Sequence, residues 1–124
     1  MAPRPTPRRR HGDRGEAAAF DHLARLGYRI LARNVRCGAH GELDGVALDG
    51  RTLCFVEVKS ASADSPVAPE DHITPGKKRA LHRASRHYLR ANRIDEAEVE
   101  TRFDVVTVRL GAGPPAVRVY KEAL

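Results

Sequence analysis

Two neighbouring apolar segments, residues 42–48 and 53–59, carry acidic side chains and one lysine among their Val, Leu and Phe residues. They are separated by residues 49–52, which begin with Asp-Gly, a strong turn signal between strand-like segments. The pattern predicts a β-hairpin, in which side chains alternate between two faces. Asp44, Glu57 and Lys59 then fall on one face, so they could form a small charged centre.

The register of this hairpin decides which side chains oppose one another. A four-residue loop pairs Leu48 with Leu53 and sets Asp44 directly opposite Glu57. A tighter Asp-Gly turn sets Asp44 opposite Phe55 instead. Both alternatives keep four charged residues on one face, namely Glu42, Asp44, Glu57 and Lys59.

Carboxylates at this spacing repel one another unless a cation lies between them. Mg²⁺ (or Mn²⁺) suits the position, because Mg²⁺ prefers oxygen ligands and commonly takes one or two carboxylates together with substrate phosphate. Such a centre could hydrolyse a phosphodiester, since the cation polarises the phosphate and lowers the pKa of a bound water. Lys59 is placed to orient that water or to offset charge in the transition state.

The elements around the hairpin are predicted from helix and strand signals. Asp13 followed three residues later by Glu16 resembles a capping box, and Gly27 is a stop signal, so the first helix should span about 14–26. Glu16 shares a face with Ala19, Phe20 and Leu23, which leaves two interpretations for it, a helix cap or an acid facing the site.

The second helix should follow a loop at 60–73, with Thr74 as its cap and Pro75 as its first residue. Its apolar stripe is Leu81, Ala84, Tyr88 and Ala91. Strands are expected at 28–34, 101–109 and 116–121. The sequence therefore predicts an α/β fold over residues 13–124, with a central mixed sheet of about five strands, an antiparallel hairpin at the site and flanking helices.

Positive charge is concentrated in two segments. Residues 1–11 carry four arginines, and residues 75–91 carry six lysines and arginines. Neither segment contains an acidic residue, so the rest of the chain has a net charge of −4. This pattern favours a polyanionic partner such as nucleic acid, although solvated helix faces would give the same composition. The candidate contacts are Arg8, Arg9 and Arg10 in a disordered basic arm (1–12), and Lys77, Lys78, Arg79, Arg83 and Arg86 on the second helix.

The composition argues against a membrane protein and against a secreted one. No apolar run approaches the roughly 20 residues that cross a bilayer, and no apolar core of a secretory signal follows the basic start. A cytoplasmic protein without membrane contact is therefore expected. Cys37 and Cys54 show no zinc or redox spacing, so both are interpreted as free thiols.

The chain resembles the bacterial YraN-like family, small endonuclease-like proteins related to archaeal Holliday junction resolvases in the PD-(D/E)xK superfamily. The resemblance covers nearly the whole chain beyond the arm. Its matching stretches are Gly15-Glu16 with Ala19, GYRILARN at 27–34, GELDGVA at 41–47, FVEVK at 55–59, TPGKKRAL at 74–81 with Tyr88-Leu89, and RFDVV at 102–106.

The resemblance implies a restriction-endonuclease-like core and a role for each motif residue. Asp44, Glu57 and the backbone carbonyl of Val58 would be metal ligands, Lys59 the catalytic lysine, and Glu16 the helix-borne acid facing the site. It implies a DNA endonuclease or resolvase-like hydrolase, and related resolvases act as homodimers. Gly45 departs from the large apolar residue usual in the family, which either costs packing or indicates a close approach to the backbone.

Several alternatives remain open from the sequence. The fold could serve a non-catalytic nucleic-acid-binding module, or a protein-interaction factor whose basic helix binds an acidic partner. Lys77 is either a phosphate contact or a solvated lysine. Asp104 either pairs with Arg102 or touches the site, and His40 is interpreted as a loop residue because no second histidine lies at a zinc-like spacing.

Overall fold

The computed structural model describes residues 7–65 and 73–123, with side chains described from residue 13 onward. Two helices and five strands account for most of this range, and a short 3₁₀ turn at Gly38–His40 follows the first strand. In chain order the elements are α1 (Pro7–Arg25), β1 (Arg29–Arg36), β2 (Glu42–Asp49), β3 (Thr52–Ser62), α2 (Pro75–Ala91), β4 (Glu100–Leu110) and β5 (Ala116–Tyr120).

The five strands form one mixed sheet whose spatial order follows the chain, β1-β2-β3-β4-β5. Neighbouring strands are antiparallel except β3 and β4, which are parallel and are linked through the segment that contains α2. A parallel pair needs such a crossover, whereas an antiparallel pair needs only a turn. The predicted α/β fold with a five-stranded mixed sheet is confirmed, and it is consistent with a restriction-endonuclease-like core.

The β2–β3 hairpin adopts the first of the two predicted registers. Leu48 pairs with Leu53, and Asp49 pairs with Thr52 across a turn in which Gly50 has φ +63°. That left-handed conformation suits glycine, which explains the Asp-Gly signal. The paired ladder runs to Gly45 opposite Val56, so Asp44 and Glu57 follow it at the same end of the hairpin.

Alternation along β3 divides the core between the two faces of the sheet. Cys54 and Val56 point to α1, whereas Leu53 and Phe55 point to α2. Both cysteines are buried and free, as expected. The cluster on the α1 side comprises Ala19, Phe20, Leu23, Tyr28, Ala47, Cys54, Val56, Val106, Val108 and Leu110, and that on the α2 side comprises Cys37, Leu43, Val46, Leu53, Phe55, Leu81, Ala84 and Leu89.

Helix α1 begins earlier than the sequence predicts, at Pro7 rather than near residue 14. Proline is favoured at the first helical position and arginine is a good helix former, so the helix extends past the expected cap at Asp13. Residues 7–12, assigned to a disordered arm, are therefore helical, although the side chains of Arg8, Arg9 and Arg10 are not described. Residues 1–6 lie outside the described range, as do residues 66–72 of the predicted 60–73 loop.

Helix α2 begins where the sequence predicts. The Thr74 hydroxyl accepts a hydrogen bond from the amide of Lys77 at 3.1 Å, and Pro75 is the first helical residue. Its buried side is formed by Leu81, Ala84, Ser85 and Leu89. The predicted burial of Ala91 is wrong, because this last helical residue is exposed and Leu89 packs in the core instead. Neither helix is long and apolar enough to cross a membrane, within the described residues.

Candidate active site

An open cavity of about 480 Å³ lies where β2, β3, α1 and the start of α2 meet. Five carboxyl groups and two lysines line it, which leaves a formal excess of negative charge. This set brings together residues from five elements, α1, β1, β2, β3 and α2. The lining residues are Asp13, Glu16, Asn34, Glu42, Asp44, Glu57, Val58, Lys59, Ser60 and Lys77.

Asp44 is fixed by the backbone of the neighbouring strand. The amide of Val58 donates a hydrogen bond to Asp44 Oδ2 at 2.8 Å. Burial raises the pKa of Asp44, and the nearby Glu16 carboxyl adds to that rise, while the Val58 amide opposes it. The carboxylate of Asp44 is therefore held in one orientation at the wall of the cavity.

Glu57 is the most buried acid of the site, with only 3% of the residue exposed. Its Oε1 atom lies 3.3 Å from Lys59 Nζ and 3.4 Å from Lys77 Nζ. Its Oε2 atom has no hydrogen-bond partner among the residues that the structure describes. Such an unpartnered buried oxygen is costly in a folded protein and indicates a missing ligand or a functional role.

The protonation of Glu57 reflects this environment. Burial, and then the charge of Asp44, raise the pKa of Glu57 to about 7, although Lys77 and Lys59 both act to lower it. The desolvation of a buried carboxylate therefore outweighs two nearby ammonium groups. A divalent cation would remove much of the remaining penalty by replacing the lost hydration with coordination.

Glu16 reaches the site because α1 lies unusually close to β3. A Cβ atom on Gly15 would lie 2.6 Å from Cβ of Ser60, so only glycine permits this approach. Glu16 is half-buried beside Asp44, and burial raises its pKa while the charge of Arg33 lowers it. Of the two interpretations of Glu16, the structure shows an acid facing the cavity, inside a helix that has already begun.

The departure at Gly45 is explained by Phe20. A Cβ atom on Gly45 would lie 2.3 Å from Phe20 Cε1, so the ring of Phe20 occupies the space that a side chain would need. The guanidinium of Arg33 lies over the same ring, 4.7 Å from its centroid. The close approach that glycine indicated is confirmed, and it places an exposed arginine beside Glu16.

The structure gathers six of the predicted site residues around the cavity and leaves others outside it. Four predicted phosphate contacts lie exposed on the outer side of α2 and do not line the cavity: Lys78, Arg79, Arg83 and Arg86. Glu42 is exposed at the rim. The gathered six are Glu16, Asp44, Glu57, Val58, Lys59 and Lys77.

Sequence reasoning missed other residues at the cavity. Asp13, interpreted as a helix cap, lines the wall one helical turn before Glu16. Asn34 adopts φ +53°, a left-handed conformation that asparagine tolerates better than most residues, and this was a readable signal in the strand. Ser60 and Arg33 carried no such signal, because their positions depend on how α1 packs.

Two open assignments are resolved in favour of structural roles. Asp104 is fully buried and pairs with Arg102, whose Nε atom donates to Asp104 Oδ1 at 2.7 Å. Asp104 does not line the cavity. His40 lies in the 3₁₀ turn and makes an edge contact with the ring of His87, with 5.9 Å between ring centroids.

The donor set fits a hard divalent cation that is completed by other ligands. Within the described residues, no three His, Cys, Asp or Glu side chains are grouped so as to hold an ion by themselves. Mg²⁺ does not require such a cage, because it retains waters and binds substrate phosphate in addition to one or two carboxylates. Asp44 and the unpartnered oxygen of Glu57 supply that number.

Comparison with known proteins gives one family. The family model described as "Uncharacterised protein family UPF0102" matches residues 15–108. The chain belongs to this family, the YraN-like group that its motifs resemble. The match runs from within α1 through most of β4 and includes every residue that lines the cavity except Asp13.

Individual members support the same assignment. A UPF0102 protein of Syntrophus aciditrophicus is 39% identical over 120 residues, which cover 97% of this chain and 92% of its own length. One from Mycolicibacterium vanbaalenii is 45% identical over 100 residues, 81% of this chain and 80% of its own. One from Chlorobium chlorochromatii is 44% identical over 101 residues, which cover 82% of this chain and 75% of its own length. These names assign a family without assigning an activity.

Proposed function

We propose that this UPF0102 protein is a metal-dependent nuclease that hydrolyses phosphodiesters, with DNA as its substrate and the cytoplasm as its place of action. The observation that carries the proposal is Glu57, a buried carboxylate with one unpartnered oxygen beside Asp44 and one oxygen bound by lysine. A cation shared with Asp44 would offset the cost of burying this charge. Carboxylates, a lysine and an adjacent basic helix together favour a phosphate substrate.

Asp44 and Glu57 would hold Mg²⁺ or Mn²⁺, with the backbone carbonyl of Val58 as the further ligand that the family resemblance implies. When bound, the cation would polarise the phosphate and supply a water of lowered pKa. The hydrogen bond from the Val58 amide keeps Asp44 in place, so little reorganisation is needed before the reaction.

Lys59 would act on the attacking water or on the charge that develops at phosphorus. Its Nζ atom lies 3.3 Å from Glu57 Oε1, and a quarter of its side chain (25%) is exposed. An ammonium held by one carboxylate has donors left for water or a phosphate oxygen. Glu16, on the other side of Asp44, would orient water by accepting a hydrogen bond from it.

Nucleic acid would meet the protein along α2, whose first turn borders the cavity. The exposed residues Lys78, Arg79, Arg83 and Arg86 extend away from the site along this helix. Contacts of this kind bind phosphate and carry little sequence information. The cationic helix would therefore hold the backbone of the substrate across the acidic cavity.

Cleavage of branched, linear and single-stranded DNA with and without Mg²⁺ or Mn²⁺ tests this function. We expect metal-dependent cleavage that the Lys59→Ala variant loses without any loss of affinity for metal or DNA, because the role of Lys59 is exerted in the transition state. Lys121→Ala, which removes a lysine far from the cavity, is the matched control. Metal and DNA binding without cleavage in the wild type would favour the non-catalytic binding module.

Salt dependence tests the nucleic-acid surface separately. Each phosphate neutralised on duplex DNA contributes about 0.9 to the slope of log affinity against log salt. Reversing Arg83 and Arg86 to Glu should weaken binding to every sequence and reduce this slope, and so should replacing Arg8, Arg9 and Arg10 by Gln. Reversal of the exposed Arg118 on β5 is the control. An unchanged slope in both multiple variants would instead favour an acidic protein partner.

A further inference from the structure

Lys77 joins the first turn of α2 to the buried acid of the site. Its Nζ atom lies 3.4 Å from Glu57 Oε1, and 39% of its side chain remains exposed to the cavity. The next residue, Lys78, is fully on the outer side of the helix and exposed. Of these two adjacent lysines, Lys77 is the one that pairs with Glu57.

Two ammonium groups share one oxygen of Glu57. Lys59 and Lys77 both contact Oε1, at 3.3 and 3.4 Å, while Oε2 has no partner in the described part of the chain. One lysine would neutralise one carboxylate, and two like charges on a single oxygen repel each other. Glu57 alone would therefore need only one lysine, and the charge of Lys77 also acts on Asp44, whose pKa it lowers.

Lys77 is the more exposed of the two lysines, with 39% of its side chain accessible against 25% for Lys59. Lys59 lies on β3, which is paired with β4 along its length. Lys77 has its amide fixed by Thr74 Oγ1 at 3.1 Å, so its backbone stays in place while its long side chain can turn. The start of α2 also carries the positive end of the helix dipole, which favours a phosphate close to Lys77.

We propose that Lys77 is a ligand for the substrate phosphate, which Glu57 holds in the metal-free protein and releases when a divalent cation occupies the Glu57–Asp44 pair. The proposal rests on the proposed function and adds a linkage to it. A cation beside Glu57 repels the ammonium, so Lys77 opposes metal binding until a phosphate gives the ammonium another partner. Linkage is reciprocal, so nucleic acid must then strengthen metal binding by the factor with which metal strengthens nucleic-acid binding.

The test compares Lys77→Met with Lys78→Met, which removes the same charge one residue further along the helix. Mn²⁺ affinity is measured by titration calorimetry at alkaline pH, alone and with a nuclease-resistant phosphorothioate duplex. We expect Lys77→Met to bind Mn²⁺ about 5-fold or more tightly than the wild type in the absence of DNA. The duplex should increase Mn²⁺ affinity in the wild type and in Lys78→Met, and much less in Lys77→Met.

Two further measurements distinguish a phosphate ligand from a structural role. Cleavage at saturating Mn²⁺ should fall in Lys77→Met although its metal affinity rises, and Lys77→Arg should restore the effect of the duplex. Equal Mn²⁺ affinity and equal duplex effects in Lys77→Met and Lys78→Met, with an active wild type, would overturn this inference alone. A wild type that binds no Mn²⁺ would overturn the proposed function and this inference together.

Discussion

Two acidic clusters of the sheet, one around Glu57 and one around Asp104, are built on opposite principles. In the first, around the cavity, Glu57 keeps one buried oxygen without a partner in the described part of the chain, and the pKa values of Glu16, Asp44 and Glu57 are all raised. In the second, Asp104 is fully buried and accepts hydrogen bonds from Tyr28, from Arg102 and from the amide of Glu122. Glu57 and Asp104 are both buried, but only the carboxylate of Asp104 has hydrogen-bond partners for both of its oxygens among the described residues.

The cations explain the difference. Arg102 binds Asp104 through two nitrogens and also reaches Asp49 at 2.8 Å, and Lys121 adds a second contact to Asp49. These contacts lower the pKa of Asp49, with the Arg102 hydrogen bond as the largest cause. A fork of donors matches a carboxylate, whereas two lysine point charges on Oε1 leave the other oxygen of Glu57 free. The comparison distinguishes an acidic cluster built for stability from one built to bind.

Removal of the arginine should have the largest effect. Arg102→Met leaves the carboxylate of Asp104 buried without its main partner, so we expect a loss of about 3–5 kcal/mol in the free energy of unfolding. Urea denaturation measures it, with Arg118→Met on β5 as the exposed control. A loss below about 1 kcal/mol would show that the Asp104 cluster is not the more stabilising of the two.

Added metal should stabilise only the cavity cluster. Mn²⁺ at about 100 times its dissociation constant should raise the free energy of unfolding by about 2.7 kcal/mol, because it binds the folded chain alone. Asp44→Asn should remove most of this gain, whereas Arg102→Met should retain it. Calorimetric melting with and without Mn²⁺ would contradict the comparison if the wild type showed no shift at millimolar metal.

Neutralisation of Glu57 should stabilise the metal-free protein. Glu57→Gln removes a buried charge next to Asp44, and we expect a gain of about 0.5–2 kcal/mol, as is common where a functional site is strained. The matched change Asp104→Asn should have the opposite sign, because it breaks a satisfied network. Denaturation of both variants without metal measures the pair. Destabilisation by both changes would mean that both clusters stabilise the metal-free fold, contrary to the comparison.

The dependence of stability on pH follows the titration of Glu57 and tests the same comparison. Glu57 has a folded pKa of about 7 against an ordinary value of 4.5, so the folded protein binds the extra proton between these values. Its contribution is complete below pH 4.5 and is lost as the pH rises through 7, at up to about 1.4 kcal/mol per pH unit. Asp49, with its lowered pKa, contributes in the opposite sense, and its contribution is lost as the pH falls below its ordinary value of 3.8.

Stability curves of the wild type and Glu57→Gln, measured without metal across this range, isolate the effect of Glu57. The difference between the two proteins should widen with rising pH and become constant above about pH 8. A difference that does not change with pH would show that Glu57 is ionised throughout, contrary to its environment in the cavity.

Local signals in the sequence determined the hairpin and the start of α2. The Asp-Gly signal predicted the β2–β3 hairpin but left two registers open, and Thr74-Pro75 predicted the first turn of α2, because each signal acts within a few residues. These two elements carry Asp44, Glu57, Lys59 and Lys77. Most residues of the cavity could therefore be predicted from the sequence. The start of α1 could not, because two competing start signals, Pro7 and Asp13, lie in one segment.

Only the tertiary structure decided how these residues meet. Strict alternation would place Leu43 on the α1 side with Ala47, yet it packs with Val46 on the α2 side, so the alternation is interrupted around Asp44. The contact of Lys77 with Glu57 and the approach of Gly15 to Ser60 join residues that are distant in the chain. A sequence fixes local backbone preferences, but which charges share an oxygen depends on the packing of helices against the sheet, where many weak contacts are summed.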